Sequence, residues 1–221
     1  MNSIIPYDFG KSLQVRNEND LPPHITFEQF KAVYDNLTGL DQILWGLLWE
    51  TGGRITAVLS ISWADIDINS KELKILVQKK KKHTTIRIPL SNAMINDLRN
   101  YLLLAKPDSG AYIFSNWQKA SRTKKDKSKT YYKYITKAKD GRLTRQGAYL
   151  KIQGWGKKYL NMAIHPHMLR HGLAIYLLSQ NVPLPVIAAR LGHSNVFITQ
   201  KSYLVITPEL QRSMTAHVPM R

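Results

Sequence analysis

Two hydrophobic periods alternate along this chain, and the changeovers mark its elements. Thr26 opens "TFEQF" with Gln29 three positions on, a capping-box start that predicts a helix to about Leu37. "LDQILWGLLWETGGR" is apolar at helical spacing and stops at Gly52-Gly53, which predicts a buried helix ended by glycine. From Trp63 the period drops to two. "DIDI", "ELKILVQ" and "TTIRIPL" alternate and are β-branched, with turn residues Asn69-Ser70 between the first pair, so three short antiparallel strands are expected. Helical spacing returns from Ser91 to about Lys106, then near 145–160, 167–180 and 185–191, with Pro183 and Pro185 breaking the last two apart. Further helical patterns run around 197–204 and from Pro208. The stretch between, "SNWQKASRTKKDKSKTYYKYITKAKDGR", has no clean period. There are no internal repeats. The expected fold class is α+β, mostly helical, with a small three-stranded antiparallel sheet at one edge. Residues 1–22, polar and ending near Pro22-Pro23, read as an N-terminal arm or linker, leaving 23–221 as the domain.

Charge changes this picture most. The chain of 221 residues has 32 Lys and Arg against 15 Asp and Glu, formally +17. Residues 71–158 hold 23 of the basic and 5 of the acidic residues, so the whole excess sits in one central segment. Such a localised excess suits a polyanion, and nucleic acid is the usual one; a solubilising basic surface or an anionic membrane is the plainer alternative. With 43% hydrophobic residues the chain can bury a core. It has no cysteine, which excludes disulfides and thiolate metal sites. The opening residues carry no basic region followed by an apolar run, and no stretch approaches the roughly 20 apolar residues that span a bilayer. The expectation is a cytoplasmic, nucleoid-associated protein without a membrane contact.

Scattered polar residues then ask for a common explanation. Arg54 follows the Gly-Gly break. Lys79, Lys80, Lys81 and Lys82 tip the predicted hairpin. His167 and Arg170, three apart in "HPHMLRHG", share a helix face. His193 stands in "RLGHSN", and Tyr203 follows in "TQKSY". Each has a bland reading: Arg54 as a surface charge, Tyr203 as one of eleven mostly structural tyrosines. His167 and His171 also have the i,i+4 spacing of metal ligands, but no Glu lies between them and a neighbouring arginine repels a cation, so no metal is expected. His171 reads as a packing or locally hydrogen-bonded residue and stays outside the candidate set.

Taken in order, the motifs "TGGRITAVLSISWADID", "KKKKHTTIRIPL", "HMLRHG" and "RLGHSNVFITQKSY" resemble the tyrosine recombinase (phage integrase) family over roughly residues 21–210. "LTRQGAYLKI" before the His-x-x-Arg helix matches its dress as well. The resemblance implies the catalytic-domain fold of that family and a site-specific recombinase or integrase. In that chemistry a tyrosine hydroxyl attacks a DNA phosphodiester, forms a covalent 3′-phosphotyrosyl link and frees a 5′-hydroxyl. Arg54 and Arg170 are then expected to bind the non-bridging oxygens, since a guanidinium is permanently charged and donates in a planar fork. A hairpin lysine would protonate the leaving oxygen. Counting back from Pro89 gives Lys81 and the Q-x-K pattern gives Lys80; Lys81 is taken. His167 is expected to accept the tyrosine proton or hold the phosphate, His193 to donate to it, and Tyr203 to attack. No metal, nucleotide or other cofactor is implied. Lys79, Lys80, Lys82, Lys124, Lys125, Lys127, Arg142 and Arg145 are the expected DNA contacts. The family's chemistry implies a homotetramer on DNA from a protein monomeric in free solution, with a C-terminal helix, here "TPELQRSMTAHV", docking on a neighbour.

Three departures accompany the resemblance. Ala57 stands where the family usually has a glutamate, the interval from His193 to Tyr203 is ten residues instead of nine, and residues 1–22 are too short for the family's core-binding domain, so a catalytic-domain fragment is expected. Competing readings are a catalytically silent DNA-binding relative, a helix-turn-helix regulator built on "VIAARLGHSNVFI", and a type IB topoisomerase.

Overall fold

The structure is a computed structural model that describes residues 21–79, 82–105, 111–115 and 142–203. Helix α1 (Phe27–Tyr34) starts as its sequence dictates: Gln29 N–H donates to Thr26 Oγ1 at 3.3 Å and Thr26 N–H to Gln29 Oε1 at 2.9 Å. It ends earlier than Leu37 because the Asn36 side chain turns back to donate to the Ala32 carbonyl at 2.9 Å, and the next amides reach only three residues back. Leu37 is buried all the same.

Helix α2 (Gly39–Thr51) is apolar on every side and is buried from Ile43 through Trp49. That is how a helix reads when neighbours cover it all round. Trp45 lies at its centre with no exposed surface, its indole N–H donating to the Phe30 carbonyl at 3.0 Å. Phe30 stacks on both Trp45 and Trp49, while Trp155 meets Trp45 edge-on. Gly52 closes the helix at φ +56°, a left-handed position where a side chain would also strike Leu191 and Leu173.

A short helix, α3 (Ile55–Leu59), follows at once; five residues gave the sequence pattern no room to announce it. The sheet comes next: β1 (Ile66–Asp67), β2 (Glu72–Lys79) and β3 (Lys82–Pro89), antiparallel in the order β1-β2-β3. Its register pairs Leu73 with Ile88 and Ile75 with Ile86, turning the aliphatic face to the core, while Lys74 and Arg87 pair on the outer face. Asp67 Oδ1 accepts from the Asn69 and Ser70 amides, forming the first turn where the sequence predicted one.

Helix α4 (Asn92–Ala105) packs on α2 through Met94, Ile95 and Leu98. Its start is tied to α2 by Glu50, whose carboxylate accepts from the Ser91 amide and hydroxyl. Residues 111–115 run beside the 61–63 segment, with Ile113 N–H donating to the Ile61 carbonyl at 3.0 Å. Then come α5 (Arg145–Leu160), α6 (Pro166–Ser179), α7 (Leu184–Leu191) and α8 (Val196–Tyr203). Gly172 lets the chain at Ile25 lie directly on α6, since a Cβ there would run into the Ile25 carbonyl. The fold is mostly helical with one small antiparallel sheet, as the hydrophobic pattern predicts. No helix among the described residues is long and apolar enough to cross a membrane.

Candidate active site

Local backbone chemistry places each candidate. At the end of α2 the Thr51 hydroxyl donates to the Leu47 carbonyl at 2.6 Å and accepts from the Gly53 amide at 2.9 Å. That fixes the Gly-Gly bend and leaves Arg54 as the N-terminal cap of α3, its side chain exposed. Arg170 comes from the middle of α6 and is 5% exposed. One terminal nitrogen donates to the Gly52 carbonyl at 2.5 Å, filling an acceptor that α2 leaves open at its C-terminus. The other lies 2.7 Å from His193 Nε2. Burial, with Arg54 nearby, lowers the Arg170 pKa to about 10, while Tyr203 acts the other way. The guanidinium remains charged at neutral pH.

His193 is delivered by the turn after α7. Gly192 takes φ +69° and the His193 amide donates to the Ala188 carbonyl at 2.9 Å, closing the helix and aiming the imidazole inward. A guanidinium can only donate, so Nε2 accepts from Arg170 and the ring proton belongs on Nδ1, which donates to Thr199 Oγ1 at 2.7 Å. Burial first, then Arg170, pushes the His193 pKa down to about 4, in keeping with a neutral ring. Thr199 is fully buried on α8, and one turn later Tyr203 is 4% exposed. The extra residue between His193 and Tyr203 therefore does not keep the tyrosine out: Asn195 starts α8 by accepting from the Phe197 amide, and the helix carries Tyr203 in to the α6 face beside Arg170. Burial raises the Tyr203 pKa and Arg170 opposes the rise.

The histidines of α6 divide between two surroundings. His167 is exposed; its pKa is lowered by partial burial and then by Arg170, His165, Arg54 and Arg145. His171, set aside in the sequence reading, has Nδ1 2.7 Å from the Tyr203 hydroxyl. Its ring lies 6.2 Å from that of His167 and 5.7 Å from that of Tyr203. The i,i+4 spacing was legible, but a contact with α8 was not.

Arg54 and Arg170 share the wall of a cleft of about 150 Å³ between α3, the sheet and α7. Arg190 is in the same wall, with the Thr51, Thr56 and Ser60 side chains, and no carboxylate of the described residues lines it. Ala57 lies there too, so at the position where the family carries glutamate this cleft has no negative charge to offset its arginines. Arg190 was not singled out from sequence, although it stands in "ARLGH". Its Nε donates to the Glu50 carbonyl at 2.8 Å and a terminal nitrogen to the Pro89 carbonyl at 3.3 Å, fastening the end of β3 to the end of α2.

Lys79 and Lys82 form the last described pair of the β2–β3 hairpin. Lys80, Lys81, Lys124, Lys125 and Lys127 lie outside the described residues, as do the helix expected from Pro208 and the unperiodic basic stretch from 116 to 141. Arg142 sits 4.3 Å over the Tyr112 ring, and Arg145 is exposed at the first position of α5. Among the described residues no group of three His, Asp or Glu is placed to hold a metal ion. The turn of "VIAARLGHSNVFI" does join two helices, but α8 turns Thr199 and Tyr203 inward instead of offering them to a groove.

The sequence model of the phage integrase family matches residues 23–209. A probable integrase/recombinase protein of Methanocaldococcus jannaschii is 29% identical over 160 residues, which is 72% of this chain and 44% of that protein. Tyrosine recombinase XerC of Pediococcus pentosaceus is 26% identical over 228 residues, covering 99% of this chain and 70% of the relative. Tyrosine recombinase XerA of Pyrococcus horikoshii is 26% identical over 197 residues, 88% of this chain and 61% of the relative. The chain thus spans between under half and about two thirds of the length of these relatives. Among solved structures, XerA recombinase superposes with a TM-score of 0.65 at 20% identity, over 91% of this chain and 67% of the other. XerH site-specific recombinase bound to its difH substrate gives 0.64 at 18% identity, over 90% and 55%. At these identities the superpositions establish a shared fold.

Proposed function

The chain belongs to the phage integrase family, and from that premise we propose that it is a site-specific recombinase that cuts and rejoins double-stranded DNA through a 3′-phosphotyrosyl intermediate. One observation carries this reading: the buried Tyr203 has a histidine on its hydroxyl and lies in the field of the buried, charged Arg170, which lines a cleft together with Arg54. A tyrosine whose only task is packing does not need a permanent cation beside it. The DNA complexes of XerH and of the Tn1549 transposon integrase, which share the fold, support duplex DNA as the partner.

In this scheme Tyr203 Oη attacks the scissile phosphorus in line with the departing 5′-oxygen. Arg170 donates to one non-bridging oxygen from a fixed position, because Gly52 and His193 hold its plane before DNA arrives. Arg54 reaches another from the exposed start of α3, and His167, in the field of both arginines, lies on the phosphate side. His193 secures Arg170 while DNA is absent; donating to the phosphate instead would move its proton to Nε2. A hairpin lysine, Lys81 in our assignment, protonates the 5′-oxygen. The phosphotyrosyl ester conserves the energy of the broken bond, so rejoining needs no metal or nucleotide. Lys79, Lys80, Lys82, Lys124, Lys125, Lys127, Arg142 and Arg145 neutralise backbone phosphates, which makes binding fall steeply with salt. Residues 23–221 act as the catalytic domain, preceded by the 1–22 arm. Exchange of all four strands requires four copies on two duplexes, assembled in the cytoplasm from monomers; removing residues 208–221 should weaken that assembly.

The deciding experiment captures covalent complexes on nicked duplexes, drawn from a randomised library and from DNA flanking the gene. A covalent band with the wild type that Tyr203→Phe abolishes is the expected result. Tight binding with no band would instead favour a silent DNA-binding relative.

A further inference from the structure

We propose that His171 is the group that takes the proton from Tyr203 during strand cleavage and returns it during rejoining. This rests on the strand-cleavage reading and refines it, since the sequence motifs pointed to His167 for that task. The geometry separates the two. His171 Nδ1 is 2.7 Å from the Tyr203 hydroxyl, inside the range in which a proton passes directly. His167 sits four residues earlier on the same helix face, about 6 Å away along the axis. The charges acting on it are those of Arg170, His165, Arg54 and Arg145, the three arginines being groups assigned to phosphate, and it has no hydrogen bond to Tyr203 among the described residues. The helix therefore sets two histidines to two neighbourhoods, one in the field of the arginines and one on the nucleophile.

A proton acceptor has to be neutral before the reaction. Burial, followed by the effects of His167 and Arg170, holds the His171 pKa down to about 4, so Nδ1 can accept at neutral pH. In the resting site the phenol keeps its proton, since burial also raises Tyr203. Transfer is coupled to attack, when the forming bond to phosphorus makes the phenol strongly acidic. Atoms and charge then balance. The bond from Oη to phosphorus forms, the bond from phosphorus to the 5′-oxygen breaks, the phenolic proton moves to Nδ1 to give an imidazolium, and the 5′-oxygen takes its proton from the hairpin lysine. The phosphate charge held by Arg54 and Arg170 stabilises the new imidazolium. In rejoining, the 5′-hydroxyl attacks, the lysine recovers its proton, and His171 reprotonates the departing phenolate.

The plain alternative is that a buried tyrosine hydroxyl simply needs a partner. The full chain separates the two through His171→Asn, which keeps a polar atom near the place of Nδ1 but cannot hold a proton, alongside His171→Ala. Single-turnover cleavage is measured on the nicked duplex library. Both variants should bind DNA as the wild type does and cleave about 100-fold more slowly. Placing 3-fluorotyrosine at position 203 should then recover part of the loss in His171→Asn, because a more acidic phenol asks less of a base. Fluorine NMR of the same residue, without DNA, should show its phenol titration displaced by His171→Ala. If His171→Asn cleaves at the wild-type rate, or fluorination gives that variant no gain, the role is structural and the proposal is overturned. If the wild type itself never cleaves, the strand-cleavage reading falls, and this role with it.

Discussion

Arg54 and Arg170 are assigned the same kind of work and are built in opposite ways. Arg170 is buried in the middle of a helix, with a backbone carbonyl and a histidine ring already on its guanidinium. Arg54 caps a five-residue helix, and its side chain is exposed, with no hydrogen bond or ion pair to the described residues. The first is oriented before any ligand comes and carries the desolvation cost of a buried charge within the fold. The second stays hydrated and must be ordered by what it binds. A site made from both can keep one fixed reference for the phosphate while the other adapts as DNA enters. It also follows that one arginine is part of the fold and the other is not.

That contrast can be broken most visibly at Arg170. Arg170→Ala should lower cleavage by at least 100-fold, the effect of losing one preorganised donor. It should also destabilise the protein by about 1–3 kcal/mol, because the Gly52 carbonyl and His193 lose their donor. Cleavage rates and urea unfolding on the same preparation test both. Arg54→Ala should cost cleavage about as much and leave stability within about 0.5 kcal/mol, as surface changes do. Equal destabilisation by the two variants would erase the distinction. Thr199→Val removes the acceptor that sets the His193 tautomer; about 1 kcal/mol of stability should go, with a smaller loss of rate than at either arginine.

A pH series sharpens the same point. His171 and His193 both have pKa values lowered from 6.5 to about 4 in the folded protein. The unfolded chain binds more protons between those values, so stability is complete above about 6.5 and declines as pH falls towards 4. Thermal unfolding should follow that slope, and His171→Asn should flatten it. Arg54→Ala should leave it nearly unchanged. The smallest effect expected is at the outer face of the sheet, where Glu72 and Arg87 meet at 3.1 Å, largely in solvent. Arg87→Ala should cost under about 1 kcal/mol.

How far the sequence could be read depended on the range of the interaction. The capping box at Thr26, the glycine end of α2 and the alternation of the strands were legible because each is set by residues a few positions apart. The short α3 was too brief to show a period. Arg190 gave no sign, because its partners, Glu50 and Pro89, are about a hundred or more residues away in the chain. His171 was set aside for the same reason.

By itself, then, the sequence determined the longer helices, the three antiparallel strands, the cationic middle and the family, because periodicity, capping and motif order are written in the chain itself. The tertiary structure decided which histidine meets the tyrosine, which arginine is buried, and how α8 absorbs one extra residue. Those depend on how α2, α6 and α8 pack together, and that packing is fixed by the shape of the whole core.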